Sequence, residues 1–98
     1  MPDDEHPFRL PQVVVTLPSA LVNLFPGSVG RVELTASTVR DAMAALDSRW
    51  PGMRDRICDS TPHIRKHINI FVDGERATLD TRLSPGAEVI VMTAISGG

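Results

Sequence analysis

The alternation of hydrophobic and polar positions divides this chain into short strands around one amphipathic helix. Residues 12–17 contain the β-branched run Val13-Val14-Val15, whose apolar side chains on both faces are typical of a central strand, and Pro18 closes the segment. Residues 31–36 alternate charged and apolar side chains, which is typical of a strand with one solvated face. We predict that these two strands pair as a hairpin.

One helix follows the hairpin. Thr38 offers a hydroxyl to the first-turn amides, and Asp41 supplies the acid favoured near the positive end of a helix dipole. The pair Pro51-Gly52 ends the helix, and one further helical turn is predicted near residues 54–58. The apolar side chains recur at helical spacing and form a single stripe for the core: Val39, Ala42, Met43, Leu46 and Trp50.

The last third of the chain predicts three more strands. Residues 67–72 are predicted to be a strand that leads into Asp73-Gly74, a dipeptide suited to a tight hairpin turn. A short strand is predicted at residues 76–79, and Leu83-Ser84-Pro85-Gly86 forms a second turn. Residues 88–93 are the final strand.

This order of elements predicts a small α+β domain. The sheet is mixed, has four to five strands, and carries one main helix packed on one face. Residues 1–11 contain three acids and three prolines without periodicity and are predicted to be a flexible extension. The folded domain is predicted to span residues 12–94, followed by a flexible tail at residues 95–98.

Composition narrows the function classes. Ninety-eight residues suffice for one small domain, and a 42% hydrophobic content is ordinary for a globular protein. No apolar run approaches the length of a membrane span, and the acidic start lacks the features of a secretory signal, so we expect a cytoplasmic protein without membrane association. A net charge of -2 and the lack of a dense basic stretch argue against nucleic acid as a partner.

The cysteine and histidines make a weak metal motif. Cys58, His63 and His67 have a spacing loosely similar to that of zinc ligands, but only three are present and His67 is predicted to enter a strand. Asp59 follows the cysteine directly, and a neighbouring negative charge raises a thiol pKa. We therefore expect Cys58 to be an inert core residue and predict no metal site.

The sequence closes on Gly97-Gly98, a few residues beyond the final strand. Glycine has no Cβ, so such a segment is slender and passes through narrow channels that other residues obstruct. Read alone, the pair is better described as a frayed terminus, the default for the last residues of a domain. In combination with a preceding strand, it indicates a carboxylate presented to a partner's active site.

These features together resemble the ubiquitin-like sulfur-carrier proteins, the small β-grasp partners in molybdopterin, thiazole and cysteine synthesis. The similarity rests on residues 83–91, on Gly97-Gly98, on Val72-Asp73-Gly74-Glu75 and on the helix, and it covers nearly everything from residue 12 to residue 98. Residues 53–66 are longer than in the shortest members, which favours the cysteine branch. The resemblance implies a β-grasp fold.

The same resemblance implies a mechanism in which this chain carries sulfur and other proteins do the chemistry. An E1-like enzyme would use ATP to adenylate the Gly98 carboxylate, and a sulfur donor would convert it to a thiocarboxylate for a sulfur-accepting synthase. Gly97 would be the spacer, while Ile95 and Ser96 would set reach and docking. The chain itself would bind no cofactor and would not be an enzyme.

A partner must also recognise the domain. If Val89 and Val91 face the helix, as the resemblance implies, period-two alternation puts Ile90 and Met92 on the opposite face of the sheet, where Phe71 and Val14 join them. We predict that these four side chains form an apolar partner-binding patch beside the tail. The alternative is that loops or the N-terminal extension cover them.

Two other functions stay open at this point. The activated glycine of a ubiquitin-like modifier would be joined to lysines of other proteins, and Lys66 is the only lysine available for self-linked chains here. A non-conjugating binding module would make no chemical use of the glycines. The pathway that receives the sulfur is not encoded in these residues.

Overall fold

The computed structural model of the protein describes residues 11–93. Within that range the chain forms five strands and three helices in the predicted order of hairpin, main helix, hairpin and final strand. Their bounds are β1 (Gln12–Thr16), α1 (Ser19–Val22), β2 (Arg31–Thr35), α2 (Val39–Arg49), α3 (Met53–Ile57), β3 (Ile68–Val72), β4 (Glu75–Arg76) and β5 (Glu88–Thr93).

The strands form one mixed sheet in the order β2-β1-β5-β3-β4. The strand last in sequence therefore lies at the centre. It runs parallel to β1, with Val15 beside Val89, and antiparallel to β3, with Ile70 beside Val91. The β1–β2 and β3–β4 pairs are antiparallel, so the predicted hairpin partnership of the first two strands is confirmed.

One face of the sheet is covered by α2 and α3 and forms the core. Period-two alternation places the buried residues of each strand on that face, because successive side chains of a strand point to opposite sides. Burial of each such side chain contributes about 1.5–3 kcal/mol relative to exposure. The largest fully buried side chains are Met43, Leu46, Met53, Ile57, Ile70, Val13, Val15, Val39, Val89 and Val91.

The start of α2 forms as its sequence predicts. Thr38 caps the helix: its hydroxyl accepts a hydrogen bond from the Asp41 amide at 3.1 Å. Ser37 donates to the Asp41 carboxylate at 2.8 Å and is the largest cause of a lowered Asp41 pKa. The amides of Val39 and Arg40 donate to carbonyls of Thr81 and Leu79, which ties the helix to the segment after β4.

Asp73-Gly74 makes the predicted tight turn between β3 and β4. Both residues have positive φ, at 51° and 88°, as a two-residue hairpin turn with matching twist requires. A Cβ added at Gly74 would meet no neighbouring atom, so glycine is favoured at this position by its positive φ and not by a lack of space.

Several predicted boundaries were wrong. The fourth strand was placed at residues 76–79, but β4 ends at Arg76, because Ala77 and Leu79 turn inward and are buried in the core. The four-residue α1 was not predicted, since no side-chain cap marks its start at Pro18. Trp50 ends α2 and is only half-buried, packed beside the core rather than inside it.

We expect Leu46→Ala to lower the free energy of unfolding by about 2–5 kcal/mol, because the side chain is fully buried and its loss leaves a cavity. Urea unfolding followed by circular dichroism measures the change. The matched variant Leu24→Ala, at a leucine that is 51% exposed, should stay within about 0.5 kcal/mol of the parent. Similar losses in both variants would contradict this assignment of the core.

Candidate functional site

The sheet face opposite α2 carries the apolar residues that the sequence singled out. Phe71 on β3 lies directly beside Ile90 on β5, and Met92 follows two residues further along β5 on the same face. Val14 on β1 occupies the same face, diagonally across from Ile90. We call these four residues, Val14, Phe71, Ile90 and Met92, the open-face cluster.

The open-face cluster is partly exposed and has a polar surround. Val14, Phe71 and Ile90 are half-buried, while 48% of Met92 is exposed. Glu33 lies beside Val14 on one flank and Arg76 lies beside Phe71 on the other. An apolar centre with a charged rim is the anatomy of a protein–protein contact surface. Its role in binding a partner stays a prediction.

The start of β5 is fixed on both sides. The Asp73 amide donates to the Glu88 carbonyl at 2.9 Å, and the Glu88 amide donates to the Asp73 carboxylate at 3.0 Å. On the β1 side, the Val14 amide donates to the Ala87 carbonyl at 3.0 Å. These bonds set the register of β5 and therefore decide which of its side chains face outward. The sequence analysis assigned Asp73 to a turn and missed its second role, although an aspartate before glycine often bonds nearby amides.

The predicted reacting segment continues from this strand. Ile95, Ser96, Gly97 and Gly98 lie outside the residues that the structure describes. Gly98 is five residues beyond Thr93, the last residue of β5, so even a fully extended tail places it at most about 18 Å from the strand end. Met92, the residue before Thr93, is the member of the open-face cluster nearest in sequence to this segment.

Cys58, His63 and His67 do not assemble into a metal centre. Cys58 is buried at the end of α3, and His67 is exposed immediately before β3. Burial is the largest cause that raises the pKa of the Cys58 thiol, and the charge of Asp59 makes a smaller contribution in the same direction. Among residues 11–93, no three histidine, cysteine, aspartate or glutamate side chains come together in a metal-binding arrangement.

Asp59 instead organises the loop after α3. Its carboxylate accepts hydrogen bonds from the Thr61 hydroxyl, from the Thr61 amide at 2.9 Å and from the His63 amide at 2.8 Å. The hydroxyl bond is the largest cause that lowers the pKa of Asp59 to about 2. This carboxylate holds residues 59–63 in a tight turn beside β3.

Within the part of the chain that the structure describes, no helix has the length and apolar character needed to cross a membrane.

Comparison with known proteins identifies the family. The profile of the ThiS family matches residues 15–98, so the chain belongs to that family. It is 32% identical to small archaeal modifier protein 1 of Haloferax volcanii over 62 residues, which are 63% of this chain and 71% of the relative. The protein is thus a ubiquitin-like small modifier or sulfur carrier, as the sequence resemblance indicated.

Solved structures confirm the β-grasp fold. The crystal structure of SAMP1 from Haloferax volcanii superposes with a TM-score of 0.74 at 28% identity and covers 89% of this chain and 99% of that one. CysO from Mycobacterium tuberculosis, described as an antigen, gives 0.76 at 22% identity, covering 85% and 99%. The Amycolatopsis orientalis BexX/CysO complex gives 0.78 at 23% identity, covering 88% and 99%.

We expect Thr61→Val to raise the pKa of Asp59 from about 2 toward its ordinary value of 3.8, because the strongest hydrogen bond to the carboxylate is removed while two amide bonds remain. The folded-state pKa lies below the unfolded one, so ionised Asp59 stabilises the fold at neutral pH. That contribution is lost as pH falls through about 2. Carboxyl titration by NMR gives the value.

The matched control is Thr78→Val, which removes an exposed threonine hydroxyl from a different turn, where it accepts from the Asp80 amide. The pKa of Asp59 should not respond to it. An unchanged pKa in Thr61→Val would show that the hydroxyl has no part in holding this carboxylate ionised.

Proposed function

We propose that this protein is a sulfur carrier whose Gly98 carboxylate is adenylated by an E1-like enzyme and then converted to a thiocarboxylate that donates sulfur in a biosynthetic pathway. The observation that carries the proposal is the match to the ThiS family, which extends through Gly97 and Gly98. The proposal requires that the mature chain end at Gly98.

The chemistry follows from the weak reactivity of a carboxylate. A terminal carboxyl group with a pKa of about 3.3 to 3.7 is fully ionised at neutral pH and is a poor electrophile. Attack of its oxygen on the α-phosphorus of ATP releases pyrophosphate and leaves an acyl adenylate. A sulfur nucleophile such as hydrosulfide then adds at the acyl carbon, and AMP departs, which leaves the thiocarboxylate.

The roles of the last residues follow from their size. Gly98 offers no side chain to hinder attack at its acyl carbon, and Gly97 lets the segment pass through a narrow channel. Ile95 and Ser96 join this segment to β5 and set how far it reaches. In this scheme the chain is a co-substrate that performs no catalysis, and ATP is bound by the activating enzyme.

The open-face cluster gives the activating enzyme and the sulfur-accepting synthase a surface to bind. It lies on the strand that leads into the tail, so one partner can contact the cluster and the terminus together. Methionine is a flexible and polarizable contact residue, which suits a surface that binds successive partners. Because CysO occurs in a complex with BexX, a complex is also the form in which we expect this chain to act.

A second function deserves testing because one relative is a small archaeal modifier protein. In a modifier, the same acyl adenylate would end in an amide bond to a lysine amine of another protein. This chain has only Lys66 for linkage to further lysines of its own kind, and that side chain is exposed. Self-linked products would therefore be joined at one position.

Intact-mass spectrometry separates these functions. The full chain is incubated with an E1-like enzyme from the same genome, ATP and hydrosulfide, with and without a cell extract. A carrier gains the mass difference between sulfur and oxygen, and the gain requires ATP. A modifier instead becomes attached to proteins in the extract. A chain that does neither under conditions where the enzyme consumes ATP contradicts both proposals.

Truncation tests the reacting residue. We expect deletion of Gly98, or Gly97→Val, to abolish the mass gain, because the first removes the carboxylate and the second obstructs its channel. Neither change touches a core side chain, so the far-ultraviolet circular dichroism and the unfolding midpoint should match the parent. Normal charging of the truncated chain would rule out Gly98 as the site.

Met92→Lys tests the open-face cluster. We expect the KM of the activating enzyme for this protein to rise about tenfold, equivalent to about 1.4 kcal/mol, because a charge replaces an apolar contact. Leu24→Lys is the matched control, since Leu24 is 51% exposed against 48% for Met92 and lies in the loop after α1. Equal effects of the two variants would show that the cluster has no special role.

A further inference from the structure

A cationic groove adjoins the open-face cluster on the β3 side of the sheet. It has a volume of about 580 Å³ and lies between the loop at residues 61–66 and the segment at residues 76–80. This volume is within the range of about 300–1,000 Å³ typical of ligand pockets. We call it the basic groove, since four cationic side chains line it: Arg40, Arg65, Lys66 and Arg76.

The charge of the basic groove is opposite to that of the whole chain. Asp80 is the only acid that the described residues contribute to its lining, so four cations and one acid leave a local charge of +3 with His63 neutral. The full sequence carries a net charge of -2. The positive groove is therefore a local arrangement and not a result of composition, and its field favours a negatively charged occupant.

Two arginines of the basic groove are held in position and keep donors for an anion. Arg40 forms an ion pair with Asp80 at 2.7 Å, and Arg76 donates to the side-chain oxygen of Asn69. A guanidinium carries five N–H donors, so each of these arginines can also bond a carboxylate from outside. Hydrogen bonds between a guanidinium and a carboxylate are about twice as strong as those between neutral groups.

The strand registers place the basic groove next to the open-face cluster. Asn69 lies directly beside Met92, and Arg76 lies directly beside Phe71. Residues opposite each other on paired strands point to the same face of a sheet, so these two lining residues share the face of the cluster. The groove therefore begins one strand spacing, about 5 Å, from the cluster.

A partner that covers the open-face cluster extends over the basic groove as well. A standard protein interface buries about 800 Å² on each side, which corresponds to a patch about 30 Å across. Val14, at the far side of the cluster, is about three strand spacings or 15 Å from the groove. The lining also includes Ile68, which lies beside Thr93 at the end of β5. One partner can therefore contact the cluster, the groove and the end of β5 together.

The basic groove is suited to side chains and not to an additional strand. The Ile70 carbonyl, at the outer edge of β3, already accepts a hydrogen bond from the Ala77 amide at 2.8 Å. An incoming strand would find this position in the ladder occupied. The contacts that remain are those of the lining side chains, whose cationic donors bind carboxylates.

From the charge of the basic groove and its position beside the open-face cluster, we infer that the groove receives an acidic segment of the activating enzyme, whose aspartate or glutamate side chains bond to Lys66 and Arg76. This inference rests on the proposed function, because that function supplies the enzyme as a partner. It adds an electrostatic contact, which sets orientation and speeds association, to the apolar contact of the cluster.

Lys66 makes the contact directly observable, because it is the only lysine in the chain. The full chain is bound to the activating enzyme and treated with a carbodiimide, which joins an amine to a carboxylate only where the two touch. We expect a crosslinked peptide that joins residue 66 to an aspartate or glutamate of the enzyme. The matched variant K66R keeps the charge but lacks the amine, so it should lose this crosslink and still be charged at the parent rate. A residue 66 crosslink only to another copy of this chain would overturn the inference.

Charge reversal measures the strength of the contact. We expect the KM of charging to rise at least about tenfold in K66E/R76E, because attractive pairs become repulsive, and kcat to change by less than about twofold. The difference from the parent should shrink at about 0.5 M salt, where exposed charges are screened. The matched control R54E/R56E reverses two exposed arginines of α3 that do not line the groove and should keep the parent KM. Equal KM values for the two variants would refute the contact.

Failure of the inference and failure of the proposed function give different results. A parent chain that gains no mass while the enzyme consumes ATP rejects the proposed function and the inference with it. A parent chain that is charged, but gives no crosslink from Lys66 to the enzyme and the same KM as K66E/R76E, rejects the inference alone.

Discussion

The parallel pairing of β1 with β5 is the contact on which the rest of the structure depends. It joins the first strand of the chain to the last, with Val15 beside Val89, and it unites the N-terminal and C-terminal hairpins into one sheet. Without it α2 would have no continuous apolar face to cover. The pairing also requires closure of nearly the whole chain, a long-range contact of the kind that slows folding but makes the finished domain cooperative.

The same pairing gives the central strand β5 one face toward the helices and one face away from them. Val89 and Val91 face the helices and are fully buried, whereas Ile90 and Met92 between and after them face outward. A one-residue slip of β5 would exchange these sets and place the wrong side chains on each face. The two hydrogen bonds between Asp73 and Glu88, one donated by each backbone amide, oppose that slip at the point where the strand begins. The register of β5 therefore decides both which side chains enter the core and which face outward.

Much of the fold was predictable because its signals are local. The cap at Thr38, the apolar stripe of α2 and the Asp73-Gly74 turn each depend on residues within a few positions of one another. The open-face cluster needed only period-two alternation once the inward residues of β5 were assigned. The end of β4 was not predictable in this way, because burial of Ala77 and Leu79 against the rest of the core competes with strand pairing. The strand propensity of residues 76–79 alone does not reveal that competition.

The reacting residues stay a prediction from the sequence, whereas the contacts that hold β5 and its neighbouring loops required the structure. Gly97 and Gly98 stand out in the sequence because they lie a few residues beyond the final strand, and the family match includes both. The second role of Asp73 and the network around Asp59 required the structure, since each joins residues whose proximity depends on how the loops fold. The basic groove between α2, the loop before β3 and the segment after β4 was likewise invisible, because its lining residues are scattered between Arg40 and Asp80.

The central position of β5 has a mechanical consequence. A partner that grips the terminal segment and draws it into a channel pulls along the axis of this strand. Because β5 is bonded to β1 on one side and to β3 on the other, the load is shared as shear across two ladders at once instead of opening them bond by bond. A terminus leaving from an edge strand would peel away under the same force. The domain can therefore be held by its end repeatedly and remain folded.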